Sequence, residues 1–229
     1  MSKAESPFLI VNPKSYLYGK ESLKLAKAAD QVVADTGLPI YFTCPYTDIR
    51  MIRDNTKYII VCAQSMDPLV PGRGMGHVLP ESLKEAGADA LFLNHAENPK
   101  TLNNLCETIK RAKELDMISI VCADSTTEAK AAACMNPDIV LAEPTDLIGT
   151  GQVADDSYTT ETVKAIHEVN PDVLVMIASG VSTAKDCYNV IKLGADGTGA
   201  TSGILNAPSP AVRVREMAEA IVKAKKENR

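Results

Sequence analysis

The chain has 229 residues, of which 45% are hydrophobic and 23% charged, with a formal net charge of -5. This length buries a sizeable core and fits one barrel-sized domain or two small ones. The mildly acidic balance speaks against nucleic acid as a partner, since phosphate-backbone binders carry a basic surface, but it leaves room for a local positive pocket that takes a small anion.

Short apolar runs alternate with longer amphipathic stretches. The runs fall at 8–12, 39–43, 58–62, 90–94, 117–123, 138–142, 173–178 and 197–201. Most are aliphatic and almost continuously hydrophobic, as strands of a parallel sheet covered on its outer face are. Eight runs begin about every 27 residues, the length of a βα unit. Between them, 21–35 carries Leu25, Ala29, Val32 and Val33 near one helical face. The stretch 101–114 places Leu102, Leu105, Ile109 and Ala112 at helical spacing, and 159–169 does so with Val163, Ile166 and Val169. The helix expected over 210–226 ends in Lys223, Lys225 and Lys226, cations that suit a helix C-terminus. Gly-Ala-Asp at 87–89 and 194–196 stops helices just before strands. No linker or low-complexity stretch interrupts the pattern. Strict alternation leaves an open doubly wound sheet or a closed barrel, and the count of eight favours a (β/α)8 barrel in one domain over 1–229. The eighth run is the weakest strand, because Gly197, Gly199 and Gly203 dilute it.

The first residues lack the basic and then apolar pattern of a signal peptide, and no apolar run approaches bilayer length, so a cytoplasmic location with no membrane partner is expected. Six cysteines, none in a C-x-x-C pair and several within apolar runs, read as buried, reduced thiols and not as a metal site.

In a barrel the active site lies at the C-terminal ends of the strands. The first run there leads into Asn12-Pro13-Lys14, the fourth into Asn94-His95-Ala96-Glu97 and the sixth into Glu143-Pro144. A cation, an imidazole and a carboxylate are thereby expected at one mouth. Taken singly, each has a bland reading: a solvated loop lysine, a structural histidine, a turn glutamate.

The motifs resemble those of the triosephosphate isomerase family, in its shorter, archaeal-type branch. They are Asn12-Pro13-Lys14, Ala63-Gln64, the 76–81 stretch, Asn94-His95-Ala96-Glu97, the 143–151 stretch and Ser202-Gly203, in the family's order over nearly the whole chain. The 94–97 and 143–151 motifs are the specific ones. The resemblance implies an aldose–ketose isomerase acting on a small phosphorylated sugar, without cofactor or metal. It implies Glu143 as base, His95 as a neutral electrophile near a helix start at Asn98-Pro99, and Lys14 as the cation for phosphate and enediolate, with Glu97 as its carboxylate partner. The resemblance further implies that Asn12 orients a substrate oxygen and that Ile148 and Gly149 belong to a closing lid. It also implies phosphate at Gly180, Thr201 and Ser202, which follow the seventh and eighth runs, where barrels hold phosphate. The loop 64–78 resembles an intersubunit loop, which implies a homodimer or homotetramer.

Ser65, Met75, Ala96, Ser179 and the Gly-rich 197–201 run depart from the family's pattern. The last is expected to remove volume from the barrel interior near the mouth. Pro13 fixes its own φ and restricts Asn12. Two alternatives stay open: an isomerase of another small sugar phosphate, such as a tetrulose phosphate, and a non-catalytic sugar-phosphate binder.

Overall fold

The computed structural model describes residues 4–143, 156–178 and 180–228. Eight strands close a parallel barrel in sequence order: β1 (Phe8–Val11), β2 (Ile40–Cys44), β3 (Ile60–Ala63), β4 (Ala90–Leu93), β5 (Ile118–Ala123), β6 (Ile139–Ala142), β7 (Leu174–Ile177) and β8 (Gly197–Ala200). Each lies within two residues of its expected run. The expected helices also form, as α1 (Gly19–Thr36), α4 (Leu102–Glu114), α6 (Asp156–Val169) and α9 (Pro210–Glu227). Between them lie α2 (Ile49–Asn55), α3 (Pro80–Ala86), α5 (Thr126–Cys134), α7 (Ala184–Lys192) and the one-turn α8 (Ser202–Leu205).

Strand periodicity divides the core in two. Outward side chains such as Leu9, Val11, Phe42 and Val61 pack under the helices. Inward ones, including Phe8, Ile10, Tyr41, Phe92, Ile120, Leu141 and Met176, fill the barrel itself. The interior is therefore a packed core, and open space begins only above it, at the strands' C-terminal ends.

The Gly-rich β8 is a full strand, paired with β1 from Phe8↔Gly197 to Val11↔Ala200. Its glycines do not leave the expected gap. A Cβ on Gly197 would stand 2.3 Å from the Phe8 ring, and one on Gly199 would stand 2.6 Å from the Ile10 carbonyl and 2.8 Å from Met176 Cε. Large neighbours occupy the volume that a bulkier eighth strand would take.

Two further expectations need correction. The helix after β4 starts at Leu102, capped by the Thr101 hydroxyl, which accepts from the Asn104 amide; Asn98 instead closes a turn by donating to the His95 carbonyl. Not all thiols are buried: Cys44, Cys62, Cys122 and Cys187 are, whereas Cys106 and Cys134 sit exposed on helices. No helix among the described residues is long and apolar enough to cross a membrane.

Candidate active site

A cavity of about 450 Å³ opens at the C-terminal end of the barrel. Of the residues singled out in the sequence, Asn12, Lys14, His95, Glu97, Glu143, Gly180, Thr201 and Ser202 all line it. Ile148 and Gly149 lie outside the described residues, as does Ser179. A smaller adjoining cavity of about 180 Å³ is bounded by Ser15, Thr43, Tyr46, Gln64 and Asn98 together with Lys14, His95 and Glu97.

Lys14 is held by its backbone as well as by its ion pair. Its φ is +48°, in the left-handed region that side-chain-bearing residues seldom adopt. The Asn12 carboxamide oxygen accepts from the Lys14 amide at 3.0 Å, and Gln64 Nε2 donates to the Lys14 carbonyl at 2.9 Å. The side chain then crosses to Glu97, with Nζ 2.7 Å from Oε1. That hydrogen bond from Lys14 holds the Glu97 carboxyl below its ordinary pKa, against the opposing effect of burial.

Asn94, just past β4, also has a positive φ, of +58°. Its Nδ2 donates to the Cys122 carbonyl at 3.1 Å, and its Oδ1 accepts from the Lys100 amide at 2.9 Å. This bends the chain so that His95 faces the cavity. His95 Nδ1 accepts from the Glu97 amide at 3.1 Å, so a neutral ring carries its proton on Nε2. Burial lowers the imidazole pKa and the Lys14 charge lowers it further, against Glu97 and Asp124, so the ring is neutral near pH 7. The amide of a turn, not of the expected helix, fixes this tautomer.

Glu143 closes β6, its amide donating to the Ala123 carbonyl of β5 at 3.0 Å. Burial pushes its carboxyl above the ordinary carboxylate range; Lys14 opposes this, and the charges of Asp124 and Glu97 add to it. Divergent environments for an imidazole and a carboxylate in one cavity mark a site able to exchange protons with a bound molecule. On the far wall, Gly180 has a φ of +71°, and Ser202 and Gly203 open α8, where first-turn amides have no acceptor within their own helix.

The sequence motifs include Gln64 and Asn94 without assigning either a role, and they leave out Asp124. A signal existed for each. Inward parity on β3, β4 and β5 runs 60-62, 90-92 and 118-120-122, and its next steps are Gln64, Asn94 and Asp124.

A closed (β/α)8 barrel whose open end gathers a cation, a neutral imidazole and a carboxylate of raised pKa is the architecture of a barrel enzyme. Comparison with known proteins is more specific. The family model described as triosephosphate isomerase matches residues 7–221. Curated relatives named triosephosphate isomerase are mostly archaeal. That of Methanobacterium bryantii is 38% identical over 211 residues, covering 90% of this chain and 93% of its own. That of Methanothermus fervidus is 36% identical, covering 93% and 98%. That of Sulfolobus acidocaldarius is 33% identical, covering 95% and 96%. The chain belongs to the triosephosphate isomerase family and is an isomerase of that type.

Proposed function

We propose that the chain, as one barrel domain over residues 1–229, interconverts dihydroxyacetone phosphate and glyceraldehyde 3-phosphate through an enediolate. The observation that carries this reading is the pairing, within one cavity, of a Glu143 carboxylate of raised pKa with a neutral His95 whose tautomer is fixed by the Glu97 amide. Removing a proton from carbon beside a carbonyl needs a base whose pKa approaches the working pH, which burial supplies at Glu143. The enediolate oxygen needs a donor aimed at it, and His95 Nε2–H provides one, then relays the proton between the two oxygens. Lys14, kept in place by Asn12, Gln64 and Glu97, balances the charge of enediolate and phosphate. Asn12 also orients a substrate oxygen. Gly180, Thr201 and Ser202 receive the phosphate, and Ile148 and Gly149 cover it from the lid. A coupled assay of purified protein with both triose phosphates tests the proposal; turnover of neither would refute it.

A second reading keeps the same chemistry on a slightly longer sugar phosphate. The cavity of about 450 Å³, walled in part by the small side chains of Ala178 and Ala200, favours it. A panel of triose, tetrose and pentose phosphates decides between them by kcat/KM.

A homodimer or homotetramer is also proposed. The loop 67–78 is stapled at its neck, where the Asp67 amide donates to the Val78 carbonyl at 3.0 Å and the Val78 amide to Asp67 Oδ2 at 2.8 Å. Arg111 Nε braces its base at the Leu69 carbonyl, and Met75 at its tip is fully exposed. A preformed loop presenting an apolar side chain to solvent suits contact with a second copy. Light scattering that finds only monomer at micromolar concentration would count against it.

A further inference from the structure

Arg213 lies outside the cavity, yet it is tied to both loops on the cavity's far wall. Its Nη1 donates to the Gly203 carbonyl at 3.1 Å and also to the Ser182 carbonyl. The Gly203 carbonyl belongs to α8, in the segment that follows β8, and the Ser182 carbonyl to the loop that follows β7; Gly180, Val181, Ser182 and Ser202 of these two segments line the cavity. The loops also pack backbone to backbone. A Cβ on Gly203 would lie 2.5 Å from Ser182 Cα and 2.8 Å from the Val181 carbonyl oxygen, so the contact has no room for a side chain.

The position of Arg213 needs a reason of its own. It sits in the opening turns of α9, after the Ser209 cap and Pro210, where the helix dipole disfavours a cation. Glu216, whose Oε2 lies 3.2 Å from Arg213 Nε, offsets part of that cost. A guanidinium held there and pointed at two carbonyls from different loops acts as a latch between them. It also occupies those carbonyls, so that neither oxygen is left to repel an anion on the other side of the loop.

We infer that Arg213 is a positioning residue for anion binding: it locks the loops after β7 and β8 together, so that their backbone amides converge on the phosphate of the substrate. The inference rests on the reading of those loops as the phosphate seat. Small errors of placement are expensive at such a site, and a 1 Å displacement costs up to about a hundredfold.

The test uses inorganic phosphate as the probe, so that it does not depend on turnover. Calorimetry compares the parent with Arg213→Ala, Arg213→Lys and Glu216→Gln. Arg213→Ala should weaken phosphate binding about tenfold or more. Arg213→Lys, which keeps a cationic donor at this position, should recover part of the loss, and Glu216→Gln should stay within about twofold of the parent. In kinetics, Arg213→Ala should raise KM for the triose phosphate and leave the slow turnover of unphosphorylated glyceraldehyde unchanged. A purely structural role would depress both substrates alike. Phosphate affinity of Arg213→Ala within twofold of the parent, or an equal loss on both substrates, overturns the inference. If Arg213→Ala fails to fold, Arg213→Lys and Gly203→Ala carry the same comparison, and unchanged phosphate affinity in Gly203→Ala overturns it equally. A parent that binds phosphate but turns over no triose phosphate refutes the proposed reaction without touching the latch. A parent that binds no phosphate refutes both.

Discussion

Lys14 Nζ stands 2.7 Å from Glu97 Oε1, a contact that joins residues 83 positions apart across the barrel mouth. The lysine side chain is 19% exposed and that of the glutamate 65%, so the pair adds little to stability. Its use is to aim a cation. Glu97→Gln should therefore lower kcat/KM about tenfold or more through misplacement of Lys14, while melting within a few degrees of the parent. Steady-state kinetics and a thermal melt check this together. A stability loss with unchanged activity would reverse the assignment.

The positive φ of Lys14 is a cost carried by the site, about 1 kcal/mol for a side-chain-bearing residue in this region. Lys14→Gly should thus be more stable than Lys14→Ala by about that amount in urea denaturation, both being inactive. Equal stabilities would mean that Asn12 and Gln64 do not hold the loop against strain.

Glu143 is also maintained at a cost. Its folded-state pKa lies above the unfolded value of about 4.3, so the folded chain binds this proton more tightly. The stabilisation that follows is fully present below about pH 4.3 and is lost as pH rises through the folded pKa. Glu143→Gln, which cannot ionise, should melt higher than the parent at pH 7, with the difference shrinking towards pH 4, and should lose nearly all activity. Melting curves at both pH values test the sign.

The same carboxylate should set the acid limb of kcat/KM above the ordinary carboxylate range. The Asp124 charge contributes to that rise, so Asp124→Asn should move the limb to lower pH. It should also make His95 harder to protonate, since Asp124 favours the imidazolium. A pH–rate profile of the variant that coincides with the parent's would remove Asp124 from the site's electrostatics.

Gly197 is bound to Phe8 by the shape of the core. Gly197→Ala should destabilise by about 1–3 kcal/mol through overpacking, and Phe8→Leu in the same chain should recover part of it. A double-mutant cycle in urea measures the coupling, and additive effects would show that the ring can move aside.

The architecture was legible in the chain because the forces that write it are local. Continuous aliphatic runs of strand length, spaced by amphipathic helices, admit only a covered parallel sheet, and eight of them suffice to close it. Asn12 and Glu143 at the mouth were legible because a strand's end fixes where its next side chain goes, whereas His95 was legible by its motif and is turned inward by the bend at Asn94. What only the tertiary structure decided were the relations between distant segments. The neutrality of His95 depends on the burial around it and on an amide in a turn that the sequence reads as a helix start. The need for glycine in β8 depends on a phenylalanine nearly 190 residues earlier. The place of Arg213 depends on two loops meeting over it. Periodicity states which way a side chain faces, and burial, charge and close approach depend on what the rest of the chain brings to meet it.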